Sequence, residues 1–575
     1  MSAPWWQTAV IYQIYPRSFA DSSGDGIGDL PGVIARLDYL AELGVDAIWL
    51  SPVYPSPQDD NGYDISDYQG IDPTYGTLGD FDALVAGAHQ RGIKIVLDVV
   101  VNHTSDEHPW FVASRSGPND PKRDWYWWRP ARTGMAAGAP GAEPTNWASF
   151  FSGPAWELDQ KSGEYYLHLF SRKQPDLNWE NASVRQAVYE MLRWWLDRGV
   201  DGFRMDVINM ISKDVAADGS LPDGLVLAGG MLGMGAQHFI DGPRIHEFLQ
   251  ELHAQVLADR PGVMTVGEMP GVTVDEALLY TDPARAEVDM VFQFEHVGLD
   301  QGDSKWDIRP LRLLDLKASL GRWQAGLATT GWNSLYWDNH DQPRAVSRFG
   351  NDSPEHRVRS AKLLGTVLHL HRGTPYVYQG EELGLTNAGF AAIEDYRDIE
   401  SLNHYTAATA AGEDPGRVLA ALRVMSRDNA RTPMPWDGSP HGGFTTGTPW
   451  LNVNASYPSI NAAEAVADPD SVFHHYRRLI QLRHDEPAVA LGDFTMLLPQ
   501  HEQVYAFTRS LAGTSLLVLA NFSDSDVSLD LPDAARWAGA ELVIGNYPDG
   551  PASGGLAAAL TLRPWEAHVH RVVEG

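Results

Sequence analysis

Two charged residues interrupt the apolar segment GFRMDVI (202–208). If this segment is a β-strand, the side chains of Arg204 and Asp206 leave the same face of it, because residues two apart do so. Burying a charge is costly unless the charge is paired or takes part in chemistry. The two residues are therefore candidates for a functional site rather than for a packed core.

Two further acids occupy the same kind of position. Asp206, Glu268 and Asp341 each lie at the carboxyl end of a different apolar run. A single acid there is usually a helix cap, but three on separate runs are harder to explain in this way. Such carboxylates, without metal-ligand spacing, suggest glycoside cleavage, in which one protonates the leaving oxygen and another attacks or supports the anomeric carbon. Four basic side chains accompany them: His103, Arg204, His340 and Arg344.

Short apolar runs separated by helical stretches would position these acids. Near-continuous apolarity is typical of strands covered on both faces. Eight such runs predict an α/β fold, a (β/α)₈ TIM barrel, in which the carboxyl ends of the strands surround the site. The runs are AVIYQIYP (9–16), DAIWLSPVY (46–54), IKIVLDVVVN (93–102), GFRMDVI (202–208), VMTVGEM (263–269), MVFQF (290–294), NSLYWDNHD (333–341) and TPYVYQGEE (374–382).

The clearest helix pattern runs from Asn181 to Arg198. Asn181 is a suitable cap, and Gly199 ends the pattern. Its apolar positions repeat at helical spacing, so one face packs inward. These positions are Val184, Val188, Met191, Leu192 and Trp195.

The spacing of the runs predicts additional domains. Residues 104–175 are too many for one connecting helix, and they predict an inserted domain after the third strand. Residues 383–468 look like an irregular excursion. Short alternating runs near the carboxyl terminus predict an antiparallel β-sandwich. The predicted domains are the first part of the barrel (1–103), the insert (104–175), the second part of the barrel (176–490) and the sandwich (491–575).

Composition limits the partners. The net charge of −32 argues against nucleic acid or an anionic membrane as a partner. The absence of cysteine excludes thiol catalysis and Cys-ligated zinc. We find no signal-peptide pattern and no long apolar window, so we expect a cytoplasmic protein. We also expect a monomer or weak homodimer. It would act on a small neutral molecule without a catalytic cofactor.

Four segments carry a resemblance to a known family. DVVVNHT (98–104), GFRMDVIN (202–209), VGEM (266–269) and NHDQPR (339–344) resemble, in order, the four signature regions of the α-amylase family of glycoside hydrolases. The likeness extends over essentially the whole chain. It implies a retaining mechanism, with the attacking and protonating carboxyl groups about 5–5.5 Å apart.

The resemblance also implies a role for each acid. Asp206 would be the nucleophile, Glu268 the general acid/base and Asp341 the stabiliser of the distorted sugar. Asp98 would organise the site rather than react. Three side chains would form hydrogen bonds around the sugar: His103, Arg204 and His340.

Within that family the chain is most similar to oligo-1,6-glucosidases and related exo-acting α-glucosidases. The segments SPQDDNGYDISDY (56–68), QPDLNW (174–179), WNSLYWDNHDQPR (332–344) and RDNARTP (427–433) carry this likeness. It implies that Asp60, Tyr63 and Arg427 hold the terminal glucose of an α-glucoside and that an Asp60–Arg427 pair closes the inner end of a pocket. Weaker candidates for the pocket lining are Phe151, Phe170 and Gln174.

Val207, which follows the implied nucleophile, bears on the linkage that is cleaved. Relatives that prefer α-1,4 bonds commonly carry Thr at this position, and relatives that act on α-1,6 bonds carry Val. A single apolar contact discriminates by about 1–3 kcal/mol, so we expect a partial preference for isomaltose-type substrates. The simpler explanation is that a β-branched residue suits a strand.

The loop DSSGDGIGD (21–29) resembles the start of a calcium-binding loop. The family likeness implies a structural, non-catalytic Ca²⁺ or Mg²⁺ held by Asp21, Ser23, Asp25, Asp29 and the Ile27 carbonyl. Relatives usually carry Asn where this chain has Ser23, which is a weaker ligand. The alternative is an Asp/Gly turn without a metal.

Three other functions remain open. A transglycosylase or sucrose isomerase would use the same acids with a sugar as the acceptor. An α-1,4- or trehalose-type glucosidase would differ in the loops around the pocket. A catalytically silent binding or scaffold protein is disfavoured, because such relatives usually lose catalytic acids and this chain retains all three.

Overall fold

Eight parallel strands form the centre of the molecule. The computed structural model describes residues 3–226, 232–551, 556 and 558–573. The strands are β1 Ile11–Ile14, β2 Ala47–Leu50, β3 Lys94–Val100, β4 Gly202–Asp206, β5 Met264–Glu268, β6 Met290–Phe292, β7 Ser334–Leu335 and β8 Thr374–Tyr378. Strands β1 to β6 pair in chain order, and β8 pairs with both β1 and β7. A parallel bridge between Val291 and Asn333 joins β6 to the start of β7, which closes the barrel.

Helices surround this barrel and follow most of its strands. The first nine are α1 Trp5–Thr8, α2 Leu30–Ala35, α3 Leu37–Leu43, α4 Leu78–Gln90, α5 Pro109–Ser116, α6 Ala182–Asp197, α7 Ile245–Leu252, α8 Val274–Thr281 and α9 Leu313–Gly326. The others are α10 Ala345–Arg348, α11 Arg357–His369, α12 Ile399–Ala410, α13 Pro415–Met425, α14 Asp428–Arg431, α15 Ala462–Ala467, α16 Val472–Asp485 and α17 Pro487–Leu491. None of the helices in the described part of the chain is both long and apolar enough to cross a bilayer.

Helix α6 confirms the clearest pattern in the sequence. The Asn181 side chain accepts a hydrogen bond from the Ser183 amide at 2.8 Å and so caps the helix. Gly199 follows with a φ of 106°, a conformation that glycine adopts without a steric penalty. The apolar stripe of the helix is buried against the barrel.

The connection between β3 and β4 forms a small domain of its own. It contains α5 and a three-stranded antiparallel sheet of short strands, Trp128–Arg129, Trp156–Leu158 and Tyr165–Leu167. An antiparallel bridge between His103 and Asp176 pairs the two ends of the domain with each other, just after β3. The domain is therefore fixed next to the carboxyl end of β3.

Two elements differ from the sequence-based predictions. Strand β7 ends at Leu335, so Asp341 lies in the following loop and not at the strand end. Tyr336 and Trp337 there are buried by packing without joining the sheet, which is why the apolar run resembled a longer strand. The excursion after β8 is not irregular, because it contains the two consecutive helices α12 and α13.

An antiparallel sandwich follows the barrel. Its strands are β9 Asp493–Leu497, β10 Val504–Leu511, β11 Thr514–Asn521, β12 Val527–Asp530, β13 Glu541–Gly545, β14 Ala559–Leu562 and β15 Ala567–Val573. The larger sheet has the order β9-β10-β11-β15-β13, and β12 pairs with β14 in the smaller one. Alternate residues of β11 face opposite ways: Leu517 and Leu519 pack between the sheets, and Leu516 and Val518 pack in the hydrophobic cluster that also contains barrel residues.

Candidate active site

Three neighbouring strands bring four charged side chains together. In the sheet register Asp98 on β3 lies beside Arg204 on β4. Asp206 and Glu268 are the last residues of β4 and β5. Since adjacent parallel strands end at the same edge of the barrel, residues far apart in sequence meet there.

Arg204 is the centre of this group. Its Nη1 donates to Asp206 Oδ1 at 2.6 Å and to Asp98 Oδ1 at 2.8 Å. Its Nη2 lies 2.8 Å from Glu268 Oε2. Arg204 is 1 % exposed, so these contacts stabilise a guanidinium that is out of water. One buried positive charge is thus shared by three carboxyl groups.

This shared charge is too little to keep all three carboxyl groups ionised. Burial raises the pKa of Glu268 to about 8, and the charges of Asp206 and Asp341 oppose the lowering effect of Arg204. Burial likewise raises the pKa of Asp206 to about 7, with Asp98 opposing Arg204. The group therefore retains a proton near neutral pH, and Glu268 holds it more firmly than Asp206 does.

Asp341 lies in the opposite environment. Its Oδ1 accepts from Arg431 Nη2 at 2.6 Å and from Arg427 Nη1 at 3.4 Å, and its Oδ2 lies 3.3 Å from His340 Nε2. Burial alone would raise the pKa of Asp341, but His340, Arg427 and Arg431 together hold it well below its usual range. Asp341 is therefore an ionised carboxylate at neutral pH.

Asp398 contacts both Arg427 and Arg431. Neither Asp398 nor Arg431 was identified as a site residue from the sequence. Arg427 Nε donates to Asp398 Oδ1 at 2.8 Å, and Arg431 Nη1 lies 3.5 Å from the same oxygen. The four-residue spacing of the two arginines in RDNARTP places them on one face of a helical turn, which could have identified Arg431. Asp398 is also the cap of α12, and a cap alone gives no sign of a functional contact.

The pair that the family likeness implied at the inner end of the pocket is present. Arg427 Nη2 donates to Asp60 Oδ1 at 3.2 Å. Gln174 Nε2 donates to Asp60 Oδ2 at 3.1 Å and lies 3.2 Å from His103 Nε2. Asp60, Gln174, His103 and Arg427 are all buried, so this side of the site is closed by side chains.

Aromatic rings surround the carboxylates. Tyr63 donates to Asp98 Oδ2 at 2.9 Å, and its ring stacks on His340 at 5.1 Å between centroids. Phe170 lies against His103 at 5.2 Å, and Phe151 contacts both Phe170 and the Arg427 guanidinium. These rings supply apolar faces against which a sugar ring can pack.

Val207 lies just beyond the end of β4, and its backbone conformation is strained. Its φ of 36° and ψ of 41° lie in the left-handed region, which β-branched residues rarely adopt. The explanation that Val207 merely suits a strand is therefore wrong. In this conformation its amide donates to Glu268 Oε2 at 3.2 Å, on the oxygen that Arg204 also contacts.

The loop predicted to hold a cation is stabilised by protein hydrogen bonds. Asp21 accepts from Ser23, Gly24, Gly26 and Thr445, and Asp29 Oδ1 caps α2. Within the described ranges, no group of three or more His, Asp or Glu side chains is arranged to hold a metal ion. In this conformation protein donors occupy both carboxylate oxygens of Asp21 and of Asp29, two of the proposed ligands.

Two family models together match nearly the whole chain. Residues 13–492 match the family described as "Alpha amylase, catalytic domain", and residues 494–569 match "Maltogenic Amylase, C-terminal domain". The chain is 55 % identical over 574 residues to an oligo-1,6-glucosidase of Parageobacillus thermoglucosidasius, with 100 % of both chains covered.

Two solved structures are similar to this one over nearly the whole chain. The trehalose-6-phosphate hydrolase of Bacillus licheniformis superposes with a TM-score of 0.91 and 46 % identity, and 100 % of both chains is covered. The isomaltulose synthase of Klebsiella sp. LX3 superposes with a TM-score of 0.93 and 42 % identity, covering 99 % of this chain and 100 % of the other.

Proposed function

Because this chain belongs to the α-amylase family of glycoside hydrolases, we propose that it is a retaining exo-α-glucosidase. It releases glucose from the non-reducing end of short α-glucosides and prefers α-1,6 linkages. The observation that carries this proposal is the contact of Asp206 and Glu268 with one buried guanidinium, that of Arg204. That contact holds two carboxyl groups close together, as a retaining mechanism requires.

In this proposal Asp206 attacks the anomeric carbon and Glu268 donates a proton to the leaving oxygen. Glu268 has the higher pKa of the two, which suits the acid. The Val207 amide donates to Glu268 Oε2, and Arg204 Nη2 lies 2.8 Å from the same oxygen. An oxygen held by an N–H donor and a guanidinium charge is a poor site for a proton, so we assign the transferred proton to Oε1.

Asp341 stabilises the oxocarbenium-like transition state in the same scheme. Its low pKa keeps it ionised, and a fixed negative charge close to a developing positive charge lowers the barrier. After the glucosyl–enzyme intermediate forms, Glu268 is a carboxylate and removes a proton from the incoming water. The same residue thus acts first as an acid and then as a base.

Exo action follows from the closed inner end of the pocket. The buried Asp60–Arg427 ion pair, with Gln174 and His103 beside it, leaves no path for a chain to continue past the terminal glucose. Hydroxyl groups of that glucose can replace some of these side-chain contacts. His103, Tyr63 and His340 are the partners that we assign to it, with Phe151 and Phe170 as apolar walls.

The linkage preference is supported by Val207 and by the oligo-1,6-glucosidase relative. A panel of isomaltose, maltose, sucrose and trehalose with product analysis tests it. Glucose from isomaltose as the main product fits the proposal. A strong preference for maltose or trehalose, or conversion of sucrose to an isomer, would reject it in favour of another activity of the family.

Three predictions from the sequence need their own tests. A structural Ca²⁺ (or Mg²⁺) requires that the metal raise the melting temperature of EDTA-treated protein, and an unchanged value would contradict it. A monomer or weak homodimer is tested by sedimentation at several protein concentrations. Cytoplasmic location is tested by fractionation of the source cells.

A further inference from the structure

Gln13 is a polar side chain buried among the strands of the barrel, with no part in the proposed bond cleavage. It lies on β1, which pairs with β2 and β8, and it is only 1 % exposed. A buried amide is costly unless its polar atoms are hydrogen-bonded. Its Nε2 donates to Ser51 Oγ at 3.1 Å and lies 2.8 Å from His340 Nδ1. Gln13 therefore contacts a residue that we assign to the bound glucose.

This contact determines which ring nitrogen of His340 carries a proton. An amide nitrogen only donates hydrogen bonds, so Nδ1 accepts from Gln13 and bears no hydrogen itself. Burial lowers the pKa of His340 to about 3, so the imidazole is neutral near neutral pH. A neutral imidazole has a single N–H, and in His340 it is on Nε2.

The surroundings of the ring favour the same position of the proton. His340 Nε2 lies 3.3 Å from Asp341 Oδ2 and forms no aligned hydrogen bond within the described part of the chain. An N–H that faces a carboxylate is attracted to it, whereas a nitrogen lone pair would be repelled. The rings of Tyr63 and Tyr15 stack on the imidazole, with centroids 5.1 and 6.1 Å away, and restrict its rotation.

The groups around His340 keep their charges near neutral pH. Asp341 has a pKa well below its usual range and stays ionised, and burial raises the pKa of Tyr15 to about 13 and that of Tyr63 further. Guanidinium groups remain protonated throughout. The charged and titratable side chains that face the ring are Asp341, Arg204, Arg427, Arg431, Tyr15 and Tyr63.

We propose that Gln13 is a positioning residue, which keeps the single N–H of His340 on Nε2, beside Asp341. That N–H directs its dipole at the ionised Asp341, and it is available to a hydroxyl group of the glucose. Gln13 acts through His340 and not on a reacting atom. The contribution to catalysis rests on the proposed function, but the position of the proton does not.

Neutron diffraction from deuterium-exchanged crystals of the unaltered protein tests the position of the proton directly. We expect deuterium on His340 Nε2, none on Nδ1, and an ND₂ group of Gln13 facing Nδ1. Deuterium on Nδ1 instead of Nε2 would overturn the proposal. This measurement needs neither a variant nor an assay, so it decides the question even if a substitution in the barrel prevents folding.

The pH profile of kcat/KM on a nitrophenyl α-glucoside tests the consequence for catalysis. The leaving group of this substrate needs no proton, so the titration of Glu268 does not mask other steps. In Gln13→Glu, an ionised carboxylate can only accept, so His340 must place its proton on Nδ1 and Nε2 loses its N–H. At lower pH the carboxyl–imidazole pair holds one more proton, and Nε2 retains its N–H.

Activity of Gln13→Glu should therefore fall as the pH rises, in a step that the unaltered protein lacks. We expect kcat/KM to be about tenfold below that of the unaltered protein at the alkaline end, the effect of losing about one hydrogen bond. Gln13→Met has a similar length but no hydrogen-bonding group. It should show a smaller loss without the added step, because Asp341 still favours the proton on Nε2.

Gln324→Glu is the matched control. Gln324 is another buried glutamine, on α9, and both of its amide atoms bind the main chain of Arg372. It should leave the shape of the pH profile unchanged. A profile of Gln13→Glu with the shape of the unaltered protein's would overturn the proposal. An unaltered protein that cleaves no α-glucoside would reject the proposed function, while the neutron measurement would still decide the role of Gln13.

Discussion

The two sides of the catalytic site hold carboxylates in opposite ways. On the β4–β5 side, Asp98, Asp206 and Glu268 share the single guanidinium of Arg204. On the other side, two guanidinium groups, those of Arg427 and Arg431, both contact Asp341, and both also contact Asp398. Both sides are buried, and burial acts in the same direction on each.

The difference shows that the number of guanidinium groups in contact with a carboxyl group, rather than burial alone, decides which acid keeps its proton. With too few cations, burial prevails and the pKa values of Asp206 and Glu268 rise to about 7 and about 8. With two guanidinium groups and His340 in contact, the pKa of Asp341 falls in spite of burial. One site thereby contains both a proton donor and a permanent anion.

The largest expected effect comes from removing the reacting groups on the β4–β5 side. Asp206→Asn should lower kcat by about 10⁴-fold or more, as loss of a catalytic nucleophile does in other enzymes. Glu268→Gln should be similarly severe on isomaltose but milder on a nitrophenyl α-glucoside, whose leaving group needs no proton. Values of kcat/KM on both substrates check this, because they report formation of the glucosyl–enzyme and not its later hydrolysis, in which Glu268 acts as a base. Equal losses of Glu268→Gln on the two substrates would contradict the acid role.

Asp398→Asn should disturb the Asp341 side without touching a reacting atom. It weakens the charge-assisted hydrogen bond from Arg427, which contributes about 1.5–3 kcal/mol, and the ion pair with Arg431. We expect kcat/KM to fall about 10–100-fold, since 1.36 kcal/mol corresponds to a factor of ten.

Asp414→Asn is the matched control for that change. Asp414 caps the next helix, α13, as Asp398 caps α12, but it contacts no catalytic arginine. Asn caps a helix about as well as Asp, so both variants keep the cap, and Asp414→Asn should leave the melting temperature and kcat/KM nearly unchanged. If Asp414→Asn lowered kcat/KM as much as Asp398→Asn, the effect would be one of stability and not of positioning.

The pH profile of kcat/KM should reflect the proton shared on the β4–β5 side. Activity requires ionised Asp206 and protonated Glu268, so it rises with pH through the first pKa, about 7, and falls through the second, about 8. Because the two groups interact, the two limbs belong to the pair. We expect a bell-shaped profile with its maximum between these values. A plateau that continues into the alkaline range would contradict the protonated Glu268.

Val207→Thr should have the smallest effect, on selectivity rather than on rate. Thr is also β-branched, so the strain of the left-handed backbone is retained and only a hydroxyl replaces a methyl group. We expect the isomaltose-to-maltose ratio of kcat/KM to fall about tenfold, within the 1–3 kcal/mol that one contact supplies. An unchanged ratio would remove Val207 as a determinant of linkage.

The barrel was predictable from sequence because its strands are buried on both faces and are therefore apolar throughout. Asp206 and Glu268 were placed correctly at strand ends for the same reason. The short β7 was not, since buried Tyr336 and Trp337 have the same apolarity whether or not they join the sheet.

Contacts between distant segments set the limit of the sequence analysis. In the sequence Asp398 looks like an ordinary helix cap, and only the fold brings it into contact with Arg427 and Arg431. The left-handed conformation of Val207 gave no signal either, because a valine in an apolar run predicts extended backbone. The distribution of protons could be derived only from the numbers of charges that the fold brings together.

Covalent trapping tests the central claim most directly. A fluorinated glucosyl fluoride that forms the glucosyl–enzyme faster than water removes it should label the nucleophile, and peptide mass spectrometry locates the label. The account predicts a glucosyl ester on Asp206, within the peptide that contains residues 201–209, and release of α-glucose from natural substrates. A label on Glu268 or Asp341, or release of β-glucose with no labelled peptide, would contradict it.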